Sequence, residues 1–307
     1  MEPTEKTQKA NWWRSARDWM HGGTGRKPVG IGLAFGGGFA RGIAHVGVLR
    51  AFEKHKIPIS AVAGVSSGAI MAAAVASGAT SDDIEKVALS MKFRDVARWT
   101  LNIMGLAGSE RMISFLARLL KVDRFEDMRI PLAIAATDLI SGKPVVFHGK
   151  GDVVLPIRAS CAYPGLFSPI RHEGRWLVDG FVSMEVPAEP LLRLGADRVI
   201  SVNIPNHDGV EEFGNMLSVV SRCFQVMSRR CEQSWRRHSK IVITPPVATL
   251  AWDSFASAKQ LIQCGEQAAM AAIPSILKLL PAAGTPTSQA ATSAPVMVSS
   301  ARHLTTT

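Results

Sequence analysis

Cysteine is scarce in this chain: Cys161, Cys223, Cys231 and Cys264 are its four, and none forms a CxxC pair. They are too sparse to staple the chain or to cage zinc, so a disulfide framework and a zinc cluster are both excluded, and the thiols read as reduced and mostly buried. Tyrosine occurs once, and the twelve phenylalanines show no base-stacking pattern, which argues against an RNA-binding sheet. No group of carboxylates has calcium-loop spacing, so no metal is expected. The opening MEPTEKTQKANWWRSARDWM lacks the apolar core of a signal peptide. A cytoplasmic protein is expected, with peripheral attachment to the inner membrane face left open.

What is present is a core. The 307 residues are 47% hydrophobic and 20% charged, enough for one large α/β domain or two small ones and incompatible with a mostly disordered chain. The formal net charge of +10 favours an acidic partner, and without aromatic stacking signals an anionic membrane surface is the better fit than nucleic acid. Residues 57–81 carry no charge and exceed the ~20 residues that span a bilayer. However, Pro58, Gly64, Ser66, Ser67 and Gly68 interrupt the run, and alanine stands where lipid-facing leucine would be. A buried strand, a tight turn and a buried helix account for it better.

Residues 1–28 form a basic, Trp-rich segment closed by a glycine linker, and a folded domain follows over 29–280. Val29, Ile31, Leu33 and Phe35 alternate with Gly30, Gly32 and Ala34, which predicts a strand with one small-residue face. A helix is predicted over 41–54, a strand over 61–64, a helix over 67–77, and a helical region over roughly 81–120. Further strands are predicted at 131–137, 143–147, 175–178 and 197–204. Strands alternating with helices predict a parallel or mixed sheet covered on both faces. Phe213, Leu217, Val220, Phe224, Met227, Cys231 and Trp235 recur at helical steps, so an amphipathic helix is predicted there. Residues 281–307 hold no acidic group and are mainly Ala, Ser, Thr and Pro, the composition of a disordered tail.

Gly64-Val65-Ser66-Ser67-Gly68 fits G-x-S-x-G where a short strand turns into a helix. Such an elbow presents its serine on a strained turn, and the flanking glycines let strand and helix pass closely. Ser66 has the required flanks; Ser67, flanked by Val65 and Ala69, does not. Gly36-Gly37-Gly38, after the first strand, would expose successive N–H groups at a helix dipole, suited to an oxyanion or equally to a phosphate. A dinucleotide site is the rival, but Arg41 occupies the place of its third glycine, and no Asp or Glu ends the second strand. For the base, His45 lies in a largely apolar helix and reads as a hydrogen-bonded residue of the core or one supporting the site from behind. His238 sits in a basic cluster, Arg236-Arg237-His238, although it would complete a Ser, Asp, His chain order. Asp179, at the end of Trp176-Leu177-Val178, is the stronger candidate, and Asp138 its competitor.

Gly36-Gly37-Gly38-Phe39-Ala40-Arg41-Gly42, then Gly64 to Gly68, then Asp179-Gly180 resemble the patatin-like phospholipase family in order and separation as well as in motif. Arg158-Ala159-Ser160-Cys161-Ala162-Tyr163-Pro164-Gly165 and Ala136-Thr137-Asp138-Leu139 add to the resemblance, which runs from about Val29 to Ile204 and is closest to the compact bacterial members. It implies a three-layer α/β fold with a mixed central sheet flanked by helices, and a calcium-independent lipid acyl hydrolase without cofactor. It also implies Ser66 as nucleophile, Asp179 as base, Gly36, Gly37 and Gly38 as oxyanion loop, and Arg41 as the loop's basic residue, ordering it or meeting substrate phosphate. The implied partners are a phospholipid or lysophospholipid and an anionic membrane surface; oligomeric state is unassigned. After Asp179-Gly180 the chain reads Phe181-Val182-Ser183-Met184 where bacterial members commonly have a small residue and then Asn-Pro, a departure at the pocket wall. A lipid-binding or regulatory protein on the same fold is the alternative reading. Trp12, Trp13 and Trp19 share one face of a helix that either anchors the chain at a membrane or docks its tryptophans on the domain.

Overall fold

The computed structural model describes residues 30–205, 214 and 216–280. The basic N-terminal segment with its Trp anchor, and the C-terminal tail, lie outside the described residues. The strands are β1 (Ile31–Phe35), β2 (Ile59–Val65), β3 (Arg98–Asn102), β4 (Gly105–Gly108), β5 (Leu132–Asp138), β6 (Pro144–His148), β7 (Ile170–His172), β8 (Arg175–Asp179), β9 (Val199–Val202) and β10 (Ile241–Ile243). The helices are α1 (Ala44–Lys54), α2 (Ser67–Ser77), α3 (Ser81–Ser90), α4 (Phe93–Val96), α5 (Arg111–Leu119), α6 (Val154–Ser160), α7 (Ala188–Arg193), α8 (Met216–Arg236) and α9 (Ala258–Leu279).

Eight strands form the main sheet, in the order β10-β9-β1-β2-β5-β8-β7, with β6 also paired to β5. The run from β10 to β5 is parallel, while β6, β7 and β8 are antiparallel to their neighbours. The period of two in β1 sets the layers. Ile31, Leu33 and Phe35 point into one core with α1, α2 and α9, and Ala34 points into a second core with Ala61, Ala63, Leu191 of α7 and Trp235 of α8. The result is the mixed sheet flanked by helices that the sequence predicts. Among the described residues no helix is long and apolar enough to cross a membrane.

The register of β5 creates the site. Ala133 to Ala135 pair with β2 on one side and with β6 on the other. Ala136 and Thr137 pair with β8 and again with β6. A residue has two edges, so β2 and β8 share one edge of β5 and meet end to end: Val65 opposes Ala135, and Asp179 opposes Ala136.

Two expectations need correction. The 81–120 region is not continuously helical: α3, α4 and α5 are separated by an antiparallel β3–β4 hairpin, because Gly105 and Gly108 break helical continuity and Trp99-Thr100-Leu101 favours strand. The predicted 41–54 helix begins as a 3-10 turn, Phe39–Ile43, and becomes α-helical at Ala44. Helix α9, not anticipated from periodicity, packs on α1, and each Cα faces the other's backbone where Gly265 approaches Ala44 and Gly47 approaches Ile262.

Candidate active site

Ser66 stands between the end of β2 and the start of α2 with φ +53°, a strained conformation for a residue with a side chain. Close packing enforces the turn. A Cβ on Gly64 would lie 2.1 Å from the Gly68 carbonyl oxygen, and one on Gly68 would lie 2.2 Å from the Phe35 carbonyl oxygen. The Ser66 N–H donates to Ser160 Oγ at 2.9 Å, and that hydroxyl donates to the Ala135 carbonyl at 2.6 Å, which fixes the elbow to α6 and β5. Ser67 Oγ is buried with no partner and faces Gly42, where an added Cβ would come within 2.3 Å of it. Of the two adjacent hydroxyls, only that of Ser66 meets a carboxylate.

That carboxylate belongs to Asp179. Ser66 Oγ donates to Asp179 Oδ2 at 2.7 Å, and the Phe181 N–H donates to Oδ1 at 3.0 Å. The carboxyl group is fully buried, and burial outweighs both hydrogen bonds, raising its pKa to about 7. Thr137 Oγ1 donates to the Asp179 carbonyl at 3.0 Å and bonds Ser183 Oγ at 2.8 Å, so β5 also holds the backbone that carries the carboxylate. Asp138, the competitor, instead accepts from the Ile140 N–H and Ser141 Oγ in the β5–β6 turn, and the Ser141 bond leads in lowering its pKa. His238 bonds its neighbour Arg237 at the end of α8.

The glycine loop does not act as three equal donors. The Gly36 N–H donates to the Val202 carbonyl at 2.9 Å, continuing the β1–β9 ladder, and so is already used. Among the described residues nothing accepts from the Gly37 and Gly38 N–H groups, and a Cβ on Gly37 would lie 3.3 Å from Ser66 Cβ. Next to them α2 begins at Ser67, whose N–H is among those a helix start leaves unpaired. His45 Nε2–H donates to the Gly36 carbonyl at 2.9 Å while its ring packs edge-on against Phe35, and burial lowers its pKa to about 4, keeping it neutral. C=O and N–H point opposite ways across a trans peptide, so this bond turns the Gly37 N–H away from α1. Arg41 is only 4% exposed, on the 3-10 turn after the loop.

Beside the elbow and loop lies an apolar cavity, partly open to solvent, with Phe39, Ser67, Ile70, Met91, Phe115 and Phe255 in its wall. The sequence points to Ser66, Asp179 and the glycines, whereas Ser160, Thr137, the Ser67 N–H and the cavity wall come together only through strand register.

Similarity to known proteins agrees with this arrangement. The family described as patatin-like phospholipase matches residues 33–192, just over half the chain. An uncharacterised NTE family protein of Mycobacterium tuberculosis is 33% identical over 177 residues, covering 57% of this chain and 49% of that protein. A lysophospholipase of Mycosarcoma maydis is 30% identical over 198 residues, covering 62% of this chain and 10% of that one. The chain thus spans at most about half the length of these curated relatives. Among solved structures, VipD from Legionella pneumophila has a TM-score of 0.50 at 15% identity, covering 82% of this chain and 67% of its own, which is a likeness of fold.

Proposed function

This chain belongs to the patatin-like phospholipase family, and from that premise we propose that it is a serine lipid acyl hydrolase working through a Ser66–Asp179 dyad. The observation that carries the reading is the 2.7 Å hydrogen bond from Ser66 Oγ to a buried carboxylate, beside two unpaired backbone N–H groups. Asp179 takes the Ser66 proton as Oγ attacks the ester carbonyl carbon. The Gly37 and Gly38 N–H groups, with that of Ser67, hold the resulting oxyanion. Collapse of the tetrahedral intermediate breaks the ester C–O bond, and Asp179 returns the proton to the departing alkoxide, leaving the acyl group on Ser66. Water then repeats the sequence with Asp179 as base, releasing the fatty acid and restoring the serine.

A carboxylate of ordinary pKa ~3.9 is a weak base. Raised to about 7, Asp179 is better matched to a proton it must both accept and return near neutral pH. The apolar cavity suits the acyl chain of a phospholipid or lysophospholipid, and the lysophospholipase name of the fungal relative supports that substrate class. The burial of Arg41 favours a role in ordering the loop over contact with the headgroup. No step calls on a metal ion.

The deciding experiment incubates the full chain with a mixed lipid extract and follows released fatty acids and lysolipids by mass spectrometry. Hydrolysis that disappears in Ser66→Ala, together with fluorophosphonate labelling at Ser66, is the expected result. Label on Ser67, or hydrolysis undiminished in Ser66→Ala, would refute the dyad; lipid binding without hydrolysis would leave the regulatory reading in its place.

A further inference from the structure

The β3–β4 hairpin is built the wrong way round for a core. In β4 the buried positions are the small Gly105 and Ala107, while Leu106 between them faces outward. In β3 Trp99 is 64% exposed, and Ile103 at the turn is fully exposed. The base of the hairpin is held in place: the Ala107 N–H donates to the Leu166 carbonyl at 2.8 Å, and Arg158 Nε donates to Ser109 Oγ at 3.2 Å. Large apolar side chains are therefore presented on a fixed support, an arrangement that burial among the described residues does not explain.

The hairpin is also continuous with the candidate site. Trp99 packs on Phe93 at 5.1 Å between ring centroids, Phe93 on Phe39 at 6.1 Å, and Phe39 on Trp252 at 4.7 Å. Phe39 follows the glycine loop directly and lines the apolar cavity, and Trp252 is itself 48% exposed. Around this apolar strip stand the exposed cations Lys92, Arg94, Arg98 and Arg111. The acids of the same stretch are Asp95, which caps the Lys92 N–H, and Glu110, which lies 4.0 Å from Arg158.

We propose that the β3–β4 hairpin and Trp252 form the surface by which this protein docks on an anionic phospholipid bilayer, with Trp99, Ile103 and Leu106 entering the interface and the surrounding cations meeting lipid phosphates. The proposal rests on the lipid-hydrolase reading and adds where the lipid aggregate is met. Tryptophan beside aliphatic side chains, ringed by Lys and Arg, suits the headgroup boundary of such a membrane. A second copy of the chain fits less well, because a two-fold contact through this patch would set the same cations against each other.

The test is co-sedimentation of the full chain with vesicles of phosphatidylcholine alone and of phosphatidylcholine with phosphatidylglycerol, at low and high salt. Binding to the anionic vesicles that weakens with salt is expected. Ile103→Asp and, separately, Lys92→Glu combined with Arg98→Glu should each lower it about tenfold or more, with unchanged melting temperature. Undiminished sedimentation of these folded variants would overturn the proposal. So would absence of binding by the parent chain at low salt, or a concentration-dependent dimer that the same substitutions disperse. Fluorophosphonate labelling at Ser66, scored on the same samples without vesicles, separates failure of docking from failure of the hydrolase reading.

Discussion

Residues 59–77 and residues 99–109 both lack any charge, and the fold treats them in opposite ways. In the first stretch β2 and α2 lie between the two cores, with Val62, Val65 and the alanines of α2 at the floor of exposure. In the second, β4 buries Gly105 and Ala107 and exposes Leu106, while Trp99 of β3 and Ile103 at the turn are exposed. Apolar composition alone therefore does not predict burial. What separates the two is the order of large and small residues along the strand: the elbow stretch uses small side chains so that backbones can touch, the hairpin uses them so that its large side chains remain outside. On the readings proposed above, one region builds the chemistry and the other brings lipid to it.

Removing the dyad's carboxylate should give the largest effect on the first region. Asp179→Asn preserves shape but not basicity, so kcat is expected to fall by the ~10²–10⁴ associated with loss of a general base. In the native chain the rate should rise with pH through about 7, where Asp179 ionises. The stability consequence has the opposite sign. The folded pKa is raised, so the stability associated with the protonated group is present below about pH 4 and is lost as pH rises toward 7. Thermal melts at pH 4.5 and pH 8 should thus show Asp179→Asn gaining on the native chain at the higher pH. A variant that loses ground there would mean that Asp179 is not held protonated by burial.

The next effect tests the packing contrast directly. Gly68→Ala places a methyl group 2.2 Å from the Phe35 carbonyl oxygen and 2.6 Å from that of Gly36, both rigid backbone atoms. Overpacking of this kind typically costs ~1–3 kcal/mol. Ile103→Ala trims a fully exposed side chain and should stay within about 0.5 kcal/mol. Calorimetric melts of the two variants give the comparison. Equal losses would mean that the hairpin is as much a part of the folded core as the elbow is.

How much of this was legible in the sequence follows the same division. The strands at 131–137, 143–147, 175–178 and 197–204 correspond to β5, β6, β8 and β9, because period-two or continuous apolar runs bounded by turn residues are local signals. Gly64, Ser66 and Gly68 are legible because one short turn imposes them all. The hairpin was hidden inside a predicted helical region, since its pattern is inverted and its partners at Leu166 and Phe167 lie far along the chain. The meeting of β2 and β8 on one edge of β5 was equally hidden, because register is a property of three strands together. The glycine loop falls between these cases. Its sequence suggested three equivalent donors, and only the pairing of β1 with β9 reveals that Gly36 is already committed to Val202.

The smallest effect concerns His45, which the sequence places in the core or in support of the site and which the structure sets one hydrogen bond from the loop. A neutral imidazole whose Nε2–H holds the Gly36 carbonyl fixes the peptide plane that carries the Gly37 N–H, while the Ser66 hydroxyl is bonded to Asp179. Loss of a whole oxyanion donor costs ~10²–10³ in kcat, so a donor that is only less well aimed should cost about tenfold. His45→Ala is expected to lower kcat by that factor with KM little changed, because the oxyanion exists in the transition state and not in the bound ester. His45→Gln, whose amide can still donate, should recover part of the loss. The midpoint of the pH profile should remain near 7 in both variants, since Asp179 sets it. A His45→Ala chain that folds but matches Asp179→Asn in inactivity, or whose profile loses its ascending limb, would make the histidine the base and return the dyad to a triad.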